Sequence, residues 1–220
     1  MKIVISVGGS VLVPELEDEK IKKFGDVISK LAKEHDVKIV VGGGKIARKY
    51  ISVARNLNAN ESFCDQLGID CTRLNASLLI AALENVYPEP VKSISEALKI
   101  EDKVVVMGGT VPGHTTDAVS ALLAESWRAD LFINATNVDG VYDKDPRKFS
   151  DAKKFDKMSH GDLVKMCTGY VMEAGPNVVI DLLAAKVMER SKIKTLVING
   201  SEPENLLNAV GGEHGGTEIS

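Results

Sequence analysis

The sequence predicts a protein of the α/β class, a layered sandwich in which helices cover a parallel sheet. Short apolar runs rich in β-branched residues alternate along the chain with segments whose apolar residues recur at helical spacing. Most of these runs are apolar on both faces, which is typical of parallel strands covered by helices on either side. Three of the runs stop at a cluster of glycines, where the chain is expected to turn tightly into a helix.

The elements follow from these patterns in chain order. We expect five strands, at residues 2–7, 37–41, 103–107, 131–135 and 194–199. Helices are expected where apolar residues share one face: over 21–31, around Cys71, Leu74 and Leu78, and over 118–127 and 179–188. A Ser-x-Pro-Glu sequence at Ser201 predicts the start of a last short helix, which Gly211 and Gly212 end.

Composition indicates an ordinary globular protein. The chain has 220 residues, of which 44% are hydrophobic and 26% are charged. Neither the proline-containing connection at 88–90 nor the polar stretch at 143–157 is long enough to be an interdomain linker. We therefore expect a single domain over residues 1–220, built as one compact unit with two lobes.

Charge and hydropathy argue against several classes of partner. The net charge of −4, from 27 basic and 31 acidic residues, gives no broad basic surface for nucleic acid. The longest purely apolar stretch, residues 78–83, is too short to span a bilayer, and the N-terminus shows no signal-peptide pattern, so we expect no membrane contact and a cytoplasmic location. The three cysteines lack the paired spacing of zinc or redox sites and are expected to be buried thiols: Cys64, Cys71 and Cys167.

The three glycine clusters are the strongest functional signal. Each follows a predicted strand: Gly8-Gly9-Ser10, Gly42-Gly43-Gly44-Lys45 and Gly108-Gly109-Thr110. Glycine lets a phosphate approach backbone N–H groups closely, so such turns are suited to anion binding. Three of them in one chain predict a polyanionic ligand and hence nucleotide or phosphoryl chemistry.

The second cluster also fits the relaxed dinucleotide pattern Gly-x-Gly-x-x-Ala at 42–47. That pattern needs an acidic residue at the end of the next strand; Asp65 has the spacing, but no strand precedes it. A Walker A sequence is absent as well. What remains is a helix N-terminus with Lys45 and Arg48 one turn apart, which are either cations for a phosphate or solvated surface residues.

The third cluster opens a loop rich in donors and acceptors: Thr110, Val111, Pro112, Gly113, His114, Thr115, Thr116 and Asp117. One residue suffices to cap the helix that follows, so the others are available to a base, a sugar or a phosphate. Asp117 is either such a cap or a group that organises cations or a metal ion.

A polar, turn-rich segment follows the fourth predicted strand at 134–146. Asp139, Asp143 and Asp145 do not have the spacing of an EF-hand, and we assign no metal ligand to protein side chains. Tyr142 offers an aromatic face on which a nucleobase could stack, whereas the alternative interpretation is a turn stabilised by aspartates.

Together and in this order, these segments resemble the amino acid kinase superfamily, and within it the uridylate kinases of the archaeal type. The motifs are Gly8-Gly9-Ser10, Gly42-Gly43-Gly44-Lys45-x-Ala47-Arg48, the loop 109–117 and Thr136-Asn137-Val138-Asp139-Gly140-Val141-Tyr142-x-x-Asp145-Pro146. The resemblance implies a three-layer αβα sandwich with a mainly parallel central sheet. It also implies transfer of the ATP γ-phosphoryl group to UMP with Mg²⁺, an acceptor lobe at about 1–130, an ATP lobe at about 131–220, and a homohexamer.

The resemblance also implies roles for individual residues. ATP binding falls to Gly9, Ser10, Gly44, Arg48, Thr136, Asn137, Tyr142 and Asp145. UMP binding falls to Gly43, Asp65 and the loop 110–116. Many members of the superfamily carry a lysine on the first strand where this chain has Ser6. We therefore expect Lys45, with Arg48 and Asp117, to serve the transfer step.

Two other functions stay open. One is a different phosphotransferase of the same superfamily, acting on a carboxylate, a carbamate or isopentenyl phosphate; Asp65 and the threonine-rich loop favour a nucleoside monophosphate instead. The other is a nucleotide- or oxyanion-binding protein without catalysis, which the missing first-strand lysine would suit. The absence of a general-base dyad does not separate these functions, because a phosphate monoester is already largely ionised at neutral pH.

Overall fold

The computed structural model describes residues 1–172 and 179–220 and has a mainly parallel sheet at its centre. Its strands are β1 (Lys2–Val7), β2 (Asp36–Val41), β3 (Val105–Met107), β4 (Leu131–Thr136), β5 (Val141–Tyr142), β6 (Lys154–Phe155), β7 (Lys157–Met158), β8 (Thr195–Asn199) and β9 (Thr217–Ile219). Its helices are α1 (Gly9–Leu12), α2 (Asp18–Leu31), α3 (Gly44–Asn56), α4 (Glu61–Ala81), α5 (Ile94–Ala97), α6 (Thr116–Trp127), α7 (His160–Met172), α8 (Leu182–Ser191) and α9 (Asn205–Val210).

The sheet has the strand order β3-β2-β1-β4-β8-β9-β7. The five predicted strands β1, β2, β3, β4 and β8 are neighbours and run parallel to one another. Only the contact between β8 and β9 is antiparallel among the pairs of this sheet in the described ranges. Because parallel strands end at the same edge, the segments after β1, β2, β3 and β4 meet there, which is where open α/β sheets bind ligands.

Hydrophobic side chains fill both faces of the sheet and make it the middle of three layers. On one face, Ile3 and Ile5 of β1 belong to a core that includes Phe24 of α2 and Leu79 of α4. On the other face, Val4 of β1 packs in a core with residues of α6, α7 and α8 that include Leu123, Leu163 and Met188. Alternate residues of one strand thus enter different cores, as expected of a sheet covered on both sides. The αβα sandwich is confirmed.

Several predicted boundaries were wrong by a few residues. The last helix begins at Asn205 and not after Ser201, because the N–H groups of Asn205 and Leu206 bond three residues back, to Glu202 and Pro203, in tight turns. The helix predicted over 179–188 begins at Leu182, because the Asp181 carboxylate accepts the N–H of Ala184 at 3.0 Å and caps it.

Two leucines predicted on the apolar face of a helix lie outside the core. Leu74 and Leu78 are in α4 as expected, but their exposed fractions are 66% and 39%. The buried face of α4 carries smaller and polar residues instead, including Cys71, Thr72 and Asn75. No helix in the described ranges is both long and apolar enough to cross a membrane.

Candidate functional site

A cleft of about 630 Å³ opens at the edge where the parallel strands end. Many of the residues singled out in the sequence line it: Gly9, Ser10, Gly43, Gly44, Arg48, Thr115, Thr116, Asp117, Thr136, Asn137 and Asp145. These residues come from the turns and helices after β1, β2, β3 and β4. The structure therefore brings together segments that lie more than 130 positions apart in the chain.

The first and second glycine turns are in contact, backbone against backbone. A Cβ atom on Gly9 would lie 2.3 Å from both the carbonyl oxygen of Gly42 and the nitrogen of Gly44. Gly44 has a φ of +66°, and a Cβ there would lie 2.6 Å from the carbonyl carbon of Gly9. Any side chain at Gly9 or Gly44 would push the two turns apart, so these positions need glycine.

The two turns leave backbone donors at the cleft. In the described part of the chain, the N–H groups of Gly9, Ser10, Gly43 and Gly44 donate to no other group. Those of Gly43 and Gly44 lie at the N-terminus of α3, where the helix dipole favours an anion. Arg48 joins the two turns, because its Nη2 donates to Ser10 Oγ at 3.0 Å.

Lys45 is in the second turn but does not line the cleft. Its ammonium group pairs with the carboxylate of Glu15, and about half of its side chain is exposed. Among the described residues, the cationic side chains that line the cleft are those of Arg48 and Arg147.

The loop predicted to bind an acceptor is held by α4. The Asp65 carboxylate accepts the N–H of Gly113 at 2.8 Å, and Gly113 has a φ of +85°, a left-handed conformation that favours glycine. The cleft-lining part of this loop is Thr115 to Asp117, whereas Asp65 and the predicted residues Thr110, Val111, Pro112, Gly113 and His114 lie outside the lining. The structure thus groups Asp65 with the outer part of the loop.

Asp117 is not the cap of α6. That role falls to Thr115, whose Oγ1 accepts the N–H of Ala118 at 3.0 Å. Asp117 lies in the first turn and accepts a hydrogen bond from the buried Ser6 hydroxyl at 3.2 Å. Burial raises the pKa of the Asp117 carboxyl to about 7; the nearby Asp181 carboxylate acts in the same direction, and the Ser6 hydrogen bond acts against both.

In the segment after β4, the predicted residues divide into two groups. Thr136, Asn137 and Asp145 line the cleft. Arg147 donates to the Asp145 carboxylate through Nε at 3.0 Å and through Nη2 at 3.2 Å. Tyr142 lies outside the lining and donates its hydroxyl to Asp139 Oδ1 at 2.6 Å, a bond that raises the pKa of Tyr142 to about 12.

Sequence reasoning missed four residues at or beside the cleft: Thr72, Asn75, Arg147 and Asp181. Asp181 had a local signal, since a capping residue directly precedes an apolar helical run. Thr72 and Asn75 are polar residues inside a helix, and only the tertiary structure reveals that they contact the glycine turns. Arg147 is adjacent to the predicted Asp145-Pro146 motif, which gave no reason to include a further cation.

Comparison with known proteins identifies the class. The amino acid kinase family model matches residues 1–199, and the chain belongs to this family. Its curated relatives include the uridylate kinase of Archaeoglobus fulgidus, which is 54% identical over the whole of both chains. That of Methanocaldococcus jannaschii is 52% identical, over all of this chain and 99% of the relative. The resemblance stated from the motifs is confirmed.

Solved structures agree with this assignment. The crystal structure of uridylate kinase from Archaeoglobus fulgidus superposes with a TM-score of 0.91, and the match covers all of both chains. UMP kinase from Bacillus anthracis is only 23% identical, yet it shares the fold with a TM-score of 0.83 over all of this chain and 95% of that one.

We predict that Asp117→Asn stabilises the protein more at pH 8 than at pH 5. The folded state binds the Asp117 proton more tightly than the unfolded state does. The free energy of unfolding therefore falls as pH rises from about 4, where the unfolded state loses this proton, to about 7, where the folded state loses it. Asparagine removes this loss. We expect the gain in the free energy of unfolding by urea to be larger at pH 8 than at pH 5 by on the order of 2 kcal/mol.

The matched control is Asp26→Asn, which changes an exposed carboxylate on α2. It should alter the unfolding free energy by a similar small amount at both pH values. An Asp117→Asn variant whose effect is the same at pH 5 and pH 8 would contradict the raised pKa.

Proposed function

We propose that this chain is an ATP:UMP phosphotransferase, which transfers the γ-phosphoryl group of ATP to UMP and yields UDP and ADP for pyrimidine nucleotide biosynthesis. The proposal rests on the archaeal relatives that bear the name uridylate kinase and on one observation of the site. Two interlocked glycine turns present backbone N–H groups to a cleft of about 630 Å³. Such an arrangement stabilises the charge on a transferred phosphoryl group.

On the donor side, we assign the ATP phosphates to Gly9, Ser10, Gly44 and Arg48. Their backbone donors and the Arg48 guanidinium lie at adjoining turns of the same cleft. We assign the adenosine part to Thr136, Asn137, Tyr142 and Asp145. Tyr142 does not line the cleft, and we assign it to the outer part of the nucleotide.

On the acceptor side, we assign UMP to Gly43, Asp65 and the loop 110–116. The hydrogen bond from Gly113 to Asp65 supports this grouping, because it places a carboxylate for the ribose next to the loop for the base. Nucleotide binding at this carboxylate requires the sugar hydroxyls to join or replace the Gly113 N–H as donors.

We place the transfer step between Lys45, Arg48 and Asp117. UMP needs no general base, since its phosphate is largely ionised at neutral pH, and the reaction needs positioning and positive charge. Lys45 pairs with Glu15 at the surface, and such exposed ion pairs contribute little to stability. A phosphate in the cleft can therefore draw Lys45 away from Glu15 at little cost.

We propose Mg²⁺ as the cofactor that accompanies ATP. No group of three or more His, Cys, Asp or Glu in the described ranges could hold a metal ion, which suits an ion bound chiefly by the phosphates with at most one or two carboxylates. Asp117 is the carboxylate placed for that contact. When bound, the ion would supply positive charge to the phosphates of ATP.

We also propose that the chain assembles as a homohexamer and works in the cytoplasm, where its nucleotide substrates occur. The support for assembly is an apolar stripe on α3 and its C-cap residue, formed by Tyr50, Val53 and Leu57, with exposed fractions of 58%, 58% and 75%. Leu74 of the neighbouring α4 is exposed as well. Contiguous exposed apolar side chains of this kind mark protein interfaces.

An ADP-release assay with a panel of acceptors tests the proposed function. With Mg-ATP we expect turnover with UMP that exceeds turnover with CMP, dTMP, AMP or acetylglutamate by at least about tenfold in kcat/KM. A higher rate with another acceptor would favour a different phosphotransferase of the family. No acceptor-dependent ADP release would favour a protein that binds nucleotides without catalysis.

We predict that Arg48→Met and Lys45→Met each lower kcat with UMP and Mg-ATP by about 10²-fold, because each removes a positive charge from the transferred group. Lys49→Met is the control, since Lys49 is an exposed lysine of the same helix that does not line the cleft. Near-normal turnover of Lys45→Met would show that Lys45 does not replace the first-strand lysine and would leave Arg48 as the main cation.

We predict that Val53→Glu lowers the mass of the assembly measured by sedimentation equilibrium. A carboxylate on the α3 stripe would have to lose its hydration in an interface. Leu183→Glu, on the partly exposed α8, should leave the mass unchanged. A hexameric Val53→Glu variant would show that the stripe is not the interface.

A further inference from the structure

The side-chain amide of Asn75 contacts the second glycine turn from beneath. Asn75 is in α4, and only 3% of it is exposed. Its Nδ2 donates to the carbonyl oxygen of Gly42 at 2.9 Å and to that of Gly43 at 3.3 Å. One buried amide thus holds two consecutive peptide groups.

These two peptide groups carry the N–H donors of the site. The carbonyl of Gly42 shares its peptide plane with the N–H of Gly43, and the carbonyl of Gly43 shares its plane with the N–H of Gly44. In a trans peptide, the C=O and N–H bonds point in opposite directions. With both carbonyls held towards α4, both N–H groups point away from α4, and Gly43 and Gly44 line the cleft.

The turn needs such a restraint because of its composition. Glycine at 42–44 permits the contact with Gly9. Glycine also leaves the peptide groups freer to rotate than they would be between residues with side chains. A rotation of the peptide between Gly43 and Gly44 would replace an N–H at the cleft by a carbonyl oxygen, which repels phosphate. Asn75 opposes this rotation together with the N–H of Ala47, which also donates to the Gly43 carbonyl at 3.3 Å, because the rotation would leave buried polar groups without a partner.

We propose that Asn75 is a positioning residue that aims the N–H groups of Gly43 and Gly44 at the phosphate groups in the cleft. This inference rests on the proposed phosphoryl transfer and deepens it. The same helix also holds the third glycine turn, since Thr72 Oγ1 accepts the N–H of Gly109 at 2.7 Å. α4 thus sets the second and third turns relative to each other, and Asn75 is its contact to the second.

Two substitutions separate this role from a general loss of stability. Asn75→Leu keeps a similar side-chain volume and removes the amide Nδ2 that donates both hydrogen bonds. We expect kcat to fall by about 10-fold or more and the dissociation constant for ATP, measured by calorimetry, to rise by about 10-fold. Ser77→Ala is the matched control on the same helix. Ser77 is exposed, and its hydroxyl donates within α4 to the carbonyl of Arg73, so we expect both values to stay within twofold of the wild type.

Asn75→Asp tests the direction of the hydrogen bonds. A protonated aspartic acid has nearly the shape of asparagine and can donate one hydrogen bond, whereas the carboxylate would face two carbonyl oxygens without a donor. The ratio of kcat for Asn75→Asp to kcat for the wild type should therefore rise at least about threefold as pH falls from 8 to 6. Circular dichroism at each pH ensures that only folded protein is compared.

The outcomes distinguish this inference from the proposed function. Unchanged kcat and ATP affinity in Asn75→Leu, or a pH-independent ratio for Asn75→Asp, overturns the role of Asn75. A wild type that does not phosphorylate UMP overturns the proposed function instead, and the ATP affinities of the wild type and Asn75→Leu then decide the role of Asn75. Should Asn75→Leu not fold, the pH dependence of Asn75→Asp decides it.

Discussion

The close contact between the first two glycine turns is the constraint on which the site depends. β1 and β2 pair in parallel with Val7 opposite Val41, so both strands end at the same level of the sheet. The residues that follow them are therefore neighbours. Glycine at 9 and 44 allows this, because a Cβ at either position would overlap the other backbone. The contact places the donors of α1 and α3 side by side, and it fixes the spacing of the phosphates that they can bind.

The remaining parts of the site are positioned by a few side chains that connect separate layers. On one face of the sheet, α4 reaches the second turn through Asn75 and the third through Thr72. On the other face, Thr115 caps α6 and also donates to Asp181, which caps α8. The N-termini of α6 and α8 are therefore held through their own caps, and the hydrogen bond between Thr115 and Asp181 joins the two caps.

Much of the fold was predictable because its signals are local. Each of the five strands is an apolar run that ends at a turn, and the helical periodicity of 21–31 corresponds to α2. The site residues that escaped prediction act across the fold: Asn75 looks like an ordinary polar residue of α4 until the second turn is packed against it. The prediction that Leu74 and Leu78 face the core was wrong for a related reason, since periodicity does not distinguish a buried apolar face from an exposed one.

The neutral Ser6 side chain and Asp117, which it contacts, together affect the charge balance of the cleft. An ammonium group beside Asp117 would hold its pKa low, whereas the neutral Ser6 hydroxyl leaves burial and Asp181 to raise that pKa to about 7. Near neutral pH, and as long as no cation is bound beside it, Asp117 then carries only a fraction of a negative charge. Ser6 brings no positive charge to the cleft, and Asp117 brings less than a full negative charge. Arg48 and the backbone N–H groups of the glycine turns therefore face less opposing charge than a fully ionised Asp117 would impose.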